Sequence, residues 1–378
     1  MSRRTALVIC KNEDFGSGVG RKLLGLSVGE RLLLTLAKAG FTRAVFLGNG
    51  PRPTSPRNPL EIVDADTFLK DVDTAVAVPS DLVFDPALLA EGQPLSPELP
   101  LRRLTVDEAV ALVRNPRLFD GPVSFGNAGG GKGFALRVTD KATAKAATRC
   151  LMLSLHKDAD GIISRHLNRK ISTFISKRIA ATAIKPNHVT AVVFLIGAAA
   201  GPLAYLGTHL GFALGGFCYW FSAVLDGCDG EISRLKYQGS ALGAWLDTVV
   251  DDLVCLSYVT GMYFGLDRLV SHPYWSYLGF VAIGFFLLTI FPRYYIMARR
   301  GSGDYQKLAK AIRKEEVTGF QKIVLHLRDI VFRTDFLPFA GMVTAVIGLP
   351  EVFAVPFAAG AVASAVDTFH TLITVKPS

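Results

Sequence analysis

The chain has 378 residues, of which 50% are hydrophobic and only 19% are charged. This composition excludes a disordered chain, a coiled coil and a soluble enzyme over the whole length. Lys and Arg outnumber Asp and Glu by 41 to 32, for a formal net charge of +9. In so apolar a chain, this surplus is typical of basic loops on the inner side of a membrane rather than of nucleic-acid binding.

Residues 1–155 are predicted to form an α/β domain. Short β-rich runs alternate with helical patterns, which predicts a parallel sheet covered by helices in a Rossmann-type arrangement. The predicted helices are Val28–Gly40 and Lys141–His156. The predicted strands are Thr5–Cys10, Arg43–Gly48, Glu61–Asp64, Thr74–Val78 and Gly133–Val138.

Residues 187–378 are predicted to form an α-helical integral membrane bundle of six transmembrane helices. Helices satisfy all their backbone groups internally, which the interior of a bilayer requires. Several of the apolar runs lie near the lower length limit for a span. The six runs are Val189–Leu206, Gly211–Leu225, Ala241–Leu266, Tyr274–Phe291, Phe336–Leu349 and Val352–Val375.

Basic residues set the predicted orientation in the cell inner or plasma membrane. They concentrate in residues 160–185 and 298–335, and basic loops stay cytoplasmic. The N-terminal domain and both termini are therefore predicted to face the cytoplasm. Residues 156–186 are predicted to be an amphipathic juxtamembrane helix, because Ile162–Ile184 alternates apolar and basic residues at helical spacing. We interpret it as an interfacial helix on anionic headgroups, and the alternative is a plain linker.

Four carboxylates at helical spacing stand inside the apolar half, in the stretch LDGCDGEISRLKYQGSALGAWLDTVVDD that begins at Leu225. A charge at membrane depth costs about 2.5 to 3.5 kcal/mol, so ionisable groups there are functional candidates. Because of their helical spacing, the motif residues in the first part of this stretch share one helical face, and those in the second part share one face of the next helix. The first face carries Asp226, Asp229, Gly230, Ser233 and Arg234, and the second carries Gly243, Asp247 and Asp251.

Two antiparallel helices with these faces would point four carboxylates at one another. Such a cluster must take up protons or bind cations. Oxygen ligands suit Mg²⁺, Mn²⁺ or Ca²⁺, and Arg234 offers a planar fork for a phosphate. The pattern therefore predicts a metal-dependent phosphoryl-transfer site at the cytoplasmic membrane edge. The alternatives are a cation pathway, as in a cation-coupled transporter, and a polar packing seam between helices.

This order of residues resembles the motif of the CDP-alcohol phosphotransferases, also called CDP-alcohol phosphatidyltransferases. Their motif is D-x-x-D-G-x-x-A-R, eight residues, then G-x-x-x-D-x-x-x-D, and every spacing fits. The single departure is Ser233, where the family usually has Ala. The resemblance covers about residues 160–375 and includes the six-span count. It implies an enzyme that displaces CMP from a CDP-alcohol with an acceptor hydroxyl.

The resemblance also implies residue roles. Asp226, Asp229 and Asp247 would hold two divalent ions, Mg²⁺ or Mn²⁺, and Asp251 would share a metal and act as general base. The run Pro186–Thr190 resembles the P-N-x-x-T start of the family's first span, although a helix start capped by Asn is an alternative. Relatives suggest a homodimer. The residues implied for the nucleotide are Asn187, Thr190, Gly230, Ser233, Arg234 and Gly243.

The donor and acceptor are suggested by the junction between the halves. The runs DGIISR from Asp160 and LNRKIS from Leu167 look like those of the fused inositol-1-phosphate cytidylyltransferase/di-myo-inositol phosphate phosphate synthases. The implied donor is CDP-inositol and the implied acceptor a phosphorylated inositol, with Arg293 and Arg299 as candidates for the acceptor phosphate. Positive-inside anchoring is the alternative for both arginines. CDP-diacylglycerol, in a phospholipid synthase, is the competing donor.

The N-terminal half resembles sugar-phosphate nucleotidyltransferases only in part. Their A-A-G-x-G-x-R loop and the Lys after it are replaced by KNEDFGSGVGRK, so Lys22 is a candidate site residue, and a Gly-rich turn without that function is the alternative. The run Val78–Phe84 resembles the strand end that carries a metal-binding aspartate in those enzymes, so Asp81 is the candidate ligand and Asp140 a second candidate. The alternative is a degenerate domain that caps or docks on the membrane site. No nucleic-acid partner is expected.

Overall fold

The computed structural model describes residues 4–10, 19–48, 52–70, 75–89, 101–115, 134–156, 161–300 and 336–374. These residues are mostly helical and form two compact units. The first unit is an α/β region and the second consists of helices. The first comprises Met1–Asp158, Ala180–Ala183 and Leu235–Tyr237; the second comprises Ala159–Ile179, Ile184–Arg234 and Gln238–Ser378.

A five-stranded sheet organises the first unit, which confirms its predicted α/β character. The strand order is β5-β4-β1-β6-β8, with β1, β4, β5 and β6 parallel and β8 antiparallel to β6. Strands β2 and β3 form a hairpin, and β7 pairs antiparallel with β9. The strands are β1 (Thr5–Ile9), β2 (Lys22–Leu23), β3 (Leu26–Ser27), β4 (Arg43–Leu47), β5 (Glu61–Ile62), β6 (Ala75–Pro79), β7 (Leu82–Phe84), β8 (Arg102–Leu104) and β9 (Ala135–Arg137).

Helices cover both faces of this sheet. Successive side chains of a strand point to opposite faces. Accordingly, Val8 shares a core with Leu32 of α1, whereas Ile9 shares another core with Phe68 of α2. A fully buried central strand of this kind explains why the run Ala6–Cys10 is uniformly apolar. The helices are α1 (Val28–Lys38), α2 (Ala65–Lys70), α3 (Val106–Arg114) and α4 (Lys141–Leu153).

The second unit has helices at all six predicted positions. Four of its helices are long and apolar enough to cross a membrane. Helix α10 has 12 residues and rises only about 18 Å, against a hydrocarbon core of about 30 Å. The helices are α5 (Arg169–Ala180), α6 (Pro186–Tyr205), α7 (His209–Lys236), α8 (Ala241–Val270), α9 (Tyr274–Arg300), α10 (Phe336–Ile347) and α11 (Glu351–Thr374).

Two helices differ in length from the apolar runs that predicted them. Helix α7 continues beyond Leu225 to Lys236, so the carboxylate motif lies within a regular helix. The juxtamembrane segment is helical up to Ala180, with a π-helical turn over Ser164–Asn168, and does not reach Ile184. The physical reason is Pro186, which disfavours helical backbone at the preceding residue and begins α6 at its first position.

Small residues bring α6 and α8 close together within the chain. A Cβ atom at Gly197 would overlap Val254, and one at Gly201 would overlap Ser257. Two tyrosines then attach the last helices to α8. The Tyr258 hydroxyl donates to the carbonyl of Gly341 in α10 at 3.0 Å. The Tyr263 hydroxyl reaches α11 in the same way. This close contact fixes the separation of α6 and α8, the helices whose first turns lie near the carboxylate motif.

Candidate metal centre and nucleotide-binding site

Three aspartates of the motif come together where α7 and α8 approach each other. Asp226 and Asp229 lie one turn apart on α7, and Asp247 projects from α8. One carboxylate oxygen from each residue lies within 4.8 Å of the other two, a separation suited to a shared metal ion. Asp251 lies one turn further along α8, about 6 Å in rise, and is not in this close group. The structure therefore brings together three of the four predicted metal ligands.

The chemistry of the group fits a hard divalent cation. Asp229 is only 9% exposed. Oδ1 of Asp226 is buried and has no hydrogen-bond partner within the described part of the chain. Buried carboxylates without compensation are costly, and converging oxygen ligands are what Mg²⁺ and Mn²⁺ prefer. The residues present thus fit the predicted cofactor.

Helix α6 supplies a hydrogen bond to this cluster. Thr190 is 3% exposed, and its hydroxyl donates to Oδ2 of Asp229. Asn187 lies at the exposed start of α6, where a Cβ on Gly243 would stand 4.0 Å from its Oδ1. Lys185, not Asn187, is the N-cap residue of α6, and it makes no side-chain cap. The alternative that Asn187 is only a helix cap is therefore wrong.

Each of the two motif glycines has only polar side-chain atoms near the place that a Cβ atom would take. A Cβ atom at Gly230 would stand 3.4 Å from Nη1 of Arg234, one helical turn away. The start of α8 is held by Ser240, whose hydroxyl oxygen accepts from the amide of Gly243 at 2.9 Å. Ser233 lies beside the connection between α7 and α8. A Cβ atom at Gly239, in that connection, would stand 3.3 Å from Oγ of Ser233. The absence of side chains at the motif glycines leaves room for a ligand beside Arg234 and the backbone.

Arg293, the predicted ligand for an acceptor phosphate, forms an ion pair with Asp252. Its Nη2 donates to Oδ2 of Asp252, and the Tyr294 hydroxyl donates to the same oxygen at 2.7 Å. The ring of Trp245 packs on that of Tyr294, with centroids 5.5 Å apart. Sequence reasoning did not single out Asp252. Arg299 lies in α9, and its side chain is outside the described part of the structure.

The opposite face of α7 contains a second buried carboxylate, which sequence reasoning also missed. Glu231 is completely buried, and its Oε1 accepts from Nη1 of Arg169 at 2.7 Å and from Oγ of Ser172 at 2.8 Å. Nearby, Nε1 of Trp220 donates to Oδ1 of Asn168 at 3.1 Å. These contacts attach α5 and the turn before it to α7. The available signal was one further acid, Glu231, within an otherwise apolar helix.

The remaining face of α5 is exposed and carries both basic and aromatic groups. Phe174 is 60% exposed, and the Arg178 guanidinium lies over its ring, 3.6 Å from the centroid. Lys170 and Lys177 are exposed as well. This mixture matches what the interfacial-helix prediction requires, and that prediction remains to be tested.

The predicted site residues of the first unit have different environments. Asp81 follows β6, is fully buried and pairs with Nε of Arg137 at 3.1 and 3.2 Å. Lys22 lies in β2 with an exposed side chain, and residues 11–18 of the preceding loop are outside the described part. Asp140 caps α4; hydrogen bonds from Thr143 hold the pKa of this carboxyl below its usual value. The metal role of Asp81 stays a prediction, and a guanidinium already neutralises its carboxylate.

Comparison with known proteins identifies the helical region that carries the aspartate cluster. Residues 183–350 match the CDP-alcohol phosphatidyltransferase family. The match confirms the resemblance predicted from the motif, and it indicates a transferase. All eight motif positions, as well as Asn187 and Thr190, lie within the matched residues.

The similar proteins include fused enzymes. A bifunctional IPC transferase and DIPP synthase from Thermococcus kodakarensis is 34% identical over 142 residues, 37% of this chain and 31% of that protein. Its counterpart from Archaeoglobus fulgidus is 40% identical over 118 residues, 31% of this chain and 23% of that protein. An archaetidylinositol phosphate synthase from Pyrococcus horikoshii is 33% identical over 91 residues, 24% of this chain and 47% of that protein. The chain thus spans less than half of each relative's length.

Proposed function

We propose that this protein transfers a phosphoalcohol group from a CDP-alcohol to an acceptor hydroxyl and releases CMP. The observation that carries the proposal is the convergence of three aspartates from α7 and α8 inside the region that matches the family. We further propose CDP-inositol as donor and an inositol phosphate as acceptor, as in a di-myo-inositol phosphate phosphate synthase. The similarity to proteins named bifunctional IPC transferase and DIPP synthase supports this choice.

The aspartates are proposed to hold two divalent ions, Mg²⁺ or Mn²⁺. Asp226, Asp229 and Asp247 supply the close group of oxygens, with Asp251 as the fourth ligand. Bound ions would offset the charge of the donor diphosphate and stabilise the CMP leaving group. The hydrogen bond from Thr190 orients the carboxylate of Asp229, as polar partners behind metal ligands commonly do.

The chain's own residues are proposed to position the reactants. Asp251 takes the proton of the acceptor hydroxyl, whose oxygen bonds to the donor phosphorus that carries the alcohol. The bond from that phosphorus to the CMP oxygen breaks, and CMP leaves with the electron pair. Arg234 donates to a phosphate of the donor. Arg293 and Arg299 are proposed to bind the acceptor phosphate.

The nucleotide is proposed to lie along the ends of α6, α7 and α8. Gly230 and Gly243 leave space for the cytidine diphosphate to approach the backbone. Asn187 and Ser233 border that space from α6 and α7. The proximity of Asn187 to Gly243 supports a shared nucleotide pocket at this point.

The proposed architecture adds two spans to the four helices that are long enough to cross a membrane. We propose that α10 and α11 complete six spans, with domain boundaries at residues 1–155, 156–186 and 187–378. The N-terminal domain, proposed to be of Rossmann type, and the active site face the cytoplasm, and the protein is a homodimer. The exposed basic and aromatic face of α5 supports contact with anionic lipids on that side.

A second candidate is a phospholipid synthase that uses CDP-diacylglycerol as donor. The observation that favours it is the similarity to a protein named archaetidylinositol phosphate synthase. The two candidates share the metal centre and differ only in the alcohol carried by the donor. A cation-coupled transporter is not favoured, because the matched family consists of transferases.

The test is CMP release by the full chain purified in detergent. CDP-inositol and CDP-diacylglycerol are offered separately with inositol 1-phosphate and Mg²⁺ or Mn²⁺. CMP from CDP-inositol alone supports the first candidate, and CMP from CDP-diacylglycerol alone supports the second. Asp251→Asn is the matched control and should abolish release. A wild-type protein that releases no CMP from either donor would contradict the proposal.

A further inference from the structure

Asp252 immediately follows the last motif aspartate and has no assigned role. Its side chain is 12% exposed, and that of its partner Arg293 is 22% exposed. The carboxylate receives two donors on one oxygen, the Arg293 guanidinium and the Tyr294 hydroxyl. Tyr294 is itself packed against Trp245 of α8. Asp252 therefore holds Arg293 within a supported network rather than as an isolated surface pair.

The same guanidinium lies within electrostatic reach of Asp251, the motif aspartate next to Asp252. One cation thus lies beside two consecutive carboxylates, and its ion pair is with Asp252. An arginine bound to Asp251 would occupy oxygens that a metal ion needs. Because Arg293 pairs with Asp252 instead, it does not occupy the oxygens of Asp251 in this way. Four ionised motif carboxylates would match the charge of two divalent ions.

We propose that Asp252 is a positioning residue that keeps the Arg293 guanidinium away from Asp251, so that Asp251 remains available to a divalent cation. The inference rests on the proposed function only in requiring that the cluster bind metal. It assigns to the Asp252–Arg293 pair a role in metal binding that the motif does not contain.

The first test measures Mn²⁺ binding to the full chain in detergent, without substrate, from the electron paramagnetic resonance signal of free Mn²⁺. Asp252→Asn should weaken binding roughly 10- to 100-fold, the range seen when a partner behind a metal site is lost. Arg293→Gln should not weaken it, and Asp252→Asn with Arg293→Gln should restore it. Tyr294→Phe removes the other donor without changing charge and should alter binding at most about fivefold. If the double variant binds as weakly as Asp252→Asn, the inference is wrong.

A second test separates movement of Arg293 from a simple change of charge. Thermal denaturation in EDTA measures the coupling between Asp251→Asn and Arg293→Gln by a double-mutant cycle. The coupling should be larger with Asn at position 252 than with Asp, because Arg293 then contacts Asp251. Equal coupling in both backgrounds would overturn the inference, since Asp252 would then act through its charge alone.

The outcomes also separate this inference from the proposed function. A wild-type protein that binds no Mn²⁺ contradicts both the metal site and the role of Asp252. If the wild type binds Mn²⁺ and Asp252→Asn binds it equally well, this inference is wrong and the proposed function is not affected. Asp252→Glu keeps the charge and should retain Mn²⁺ binding, which guards against misreading a variant that fails to fold.

Discussion

Two faces of helix α7 bury carboxylates in opposite ways. On one face, Asp226 and Asp229 meet Asp247 of α8, and Oδ1 of Asp226 lacks a hydrogen-bond partner within the described residues. On the other face, Oε1 of Glu231 accepts from Arg169 and Ser172, while its buried Oε2 also lacks a partner within the described residues. The difference is therefore the cation that pairs with Glu231. The first arrangement collects negative charge, and the second neutralises it.

The difference separates a cluster suited to metal binding from an ion pair that holds two helices together. A buried carboxylate that is paired at close range holds two helices together. Carboxylates that face one another raise the free energy of the metal-free protein, and a bound cation removes that cost. The residue type is the same in both cases, and only the partner decides the role. Each prediction below perturbs one face and uses the other as its reference.

Loss of a cluster aspartate should have the largest effect on activity. Asp226→Asn is expected to lower CMP release on the order of 10³-fold, the scale of losing one electrostatic group from a transition-state site. The same change should not lower the melting temperature in EDTA, because it removes a like charge from the cluster. CMP release and melting in EDTA are the two measurements. A melting temperature well below that of the wild type would contradict the comparison.

Loss of the ion pair between Glu231 and Arg169 should lower stability and leave CMP release intact. Arg169→Met leaves a buried carboxylate without its cation and is expected to cost about 3 kcal/mol of unfolding free energy. SDS-induced unfolding measures the loss, and the folded fraction should retain CMP release. The control is Arg169→Met combined with Glu231→Met, which should recover most of the stability. A double variant as unstable as the single one would show that the pair is not the cause.

Removal of the metal should affect variants of the two faces differently, and its effect on the unfolding free energy should be smaller than that of Arg169→Met. Mn²⁺ at 100 times its dissociation constant is expected to stabilise the wild type by about 2.7 kcal/mol over the protein in EDTA. Arg169→Met should keep this increment, whereas Asp226→Asn should lose most of it. Unfolding with and without Mn²⁺ checks the prediction. An equal increment in Asp226→Asn would place the metal elsewhere.

The smallest effect is expected from the hydrogen bond behind the cluster. Thr190→Val keeps the shape of the side chain but removes the donor to Asp229, which should weaken Mn²⁺ binding about tenfold. Thr190→Ser keeps the hydroxyl and is the matched control. Mn²⁺ titration of both variants provides the measurement, and indistinguishable binding would show that Thr190 only fills space.

Local patterns predicted α1, α4, the helices at the six apolar runs and five of the described strands, but they missed α2, α3, β2, β3, β7 and β8. Arg43–Gly48 was predicted and Arg43–Leu47 is observed, since a buried strand is a short apolar run closed by a glycine. The carboxylate motif was predictable for a related reason: residues three and four apart on a helix share a face. The presence of Asp226 and Asp229 on one face of α7 follows from spacing alone.

Contacts between distant residues were not predictable in this way. Arg169 was counted among basic residues near the membrane, yet it pairs with Glu231, 62 positions away. Arg293 was considered for an acceptor phosphate, yet it pairs with Asp252, 41 positions away. No local period connects such residues, because their meeting depends on how whole helices pack.

The sequence by itself determined the apolar character of α6 to α11 and the two faces that carry the motif, because these follow from hydrophobicity and helical spacing. The order of the motif residues also carried the resemblance to the family that residues 183–350 match. Only the tertiary structure decided that Asp251 stands apart from the close group of three, and that Arg293 and Arg169 have carboxylate partners. The reason is physical. Hydrophobicity and helical period act within one helix, whereas electrostatic pairing acts between atoms that only the packing of α5 to α9 brings within a few ångströms.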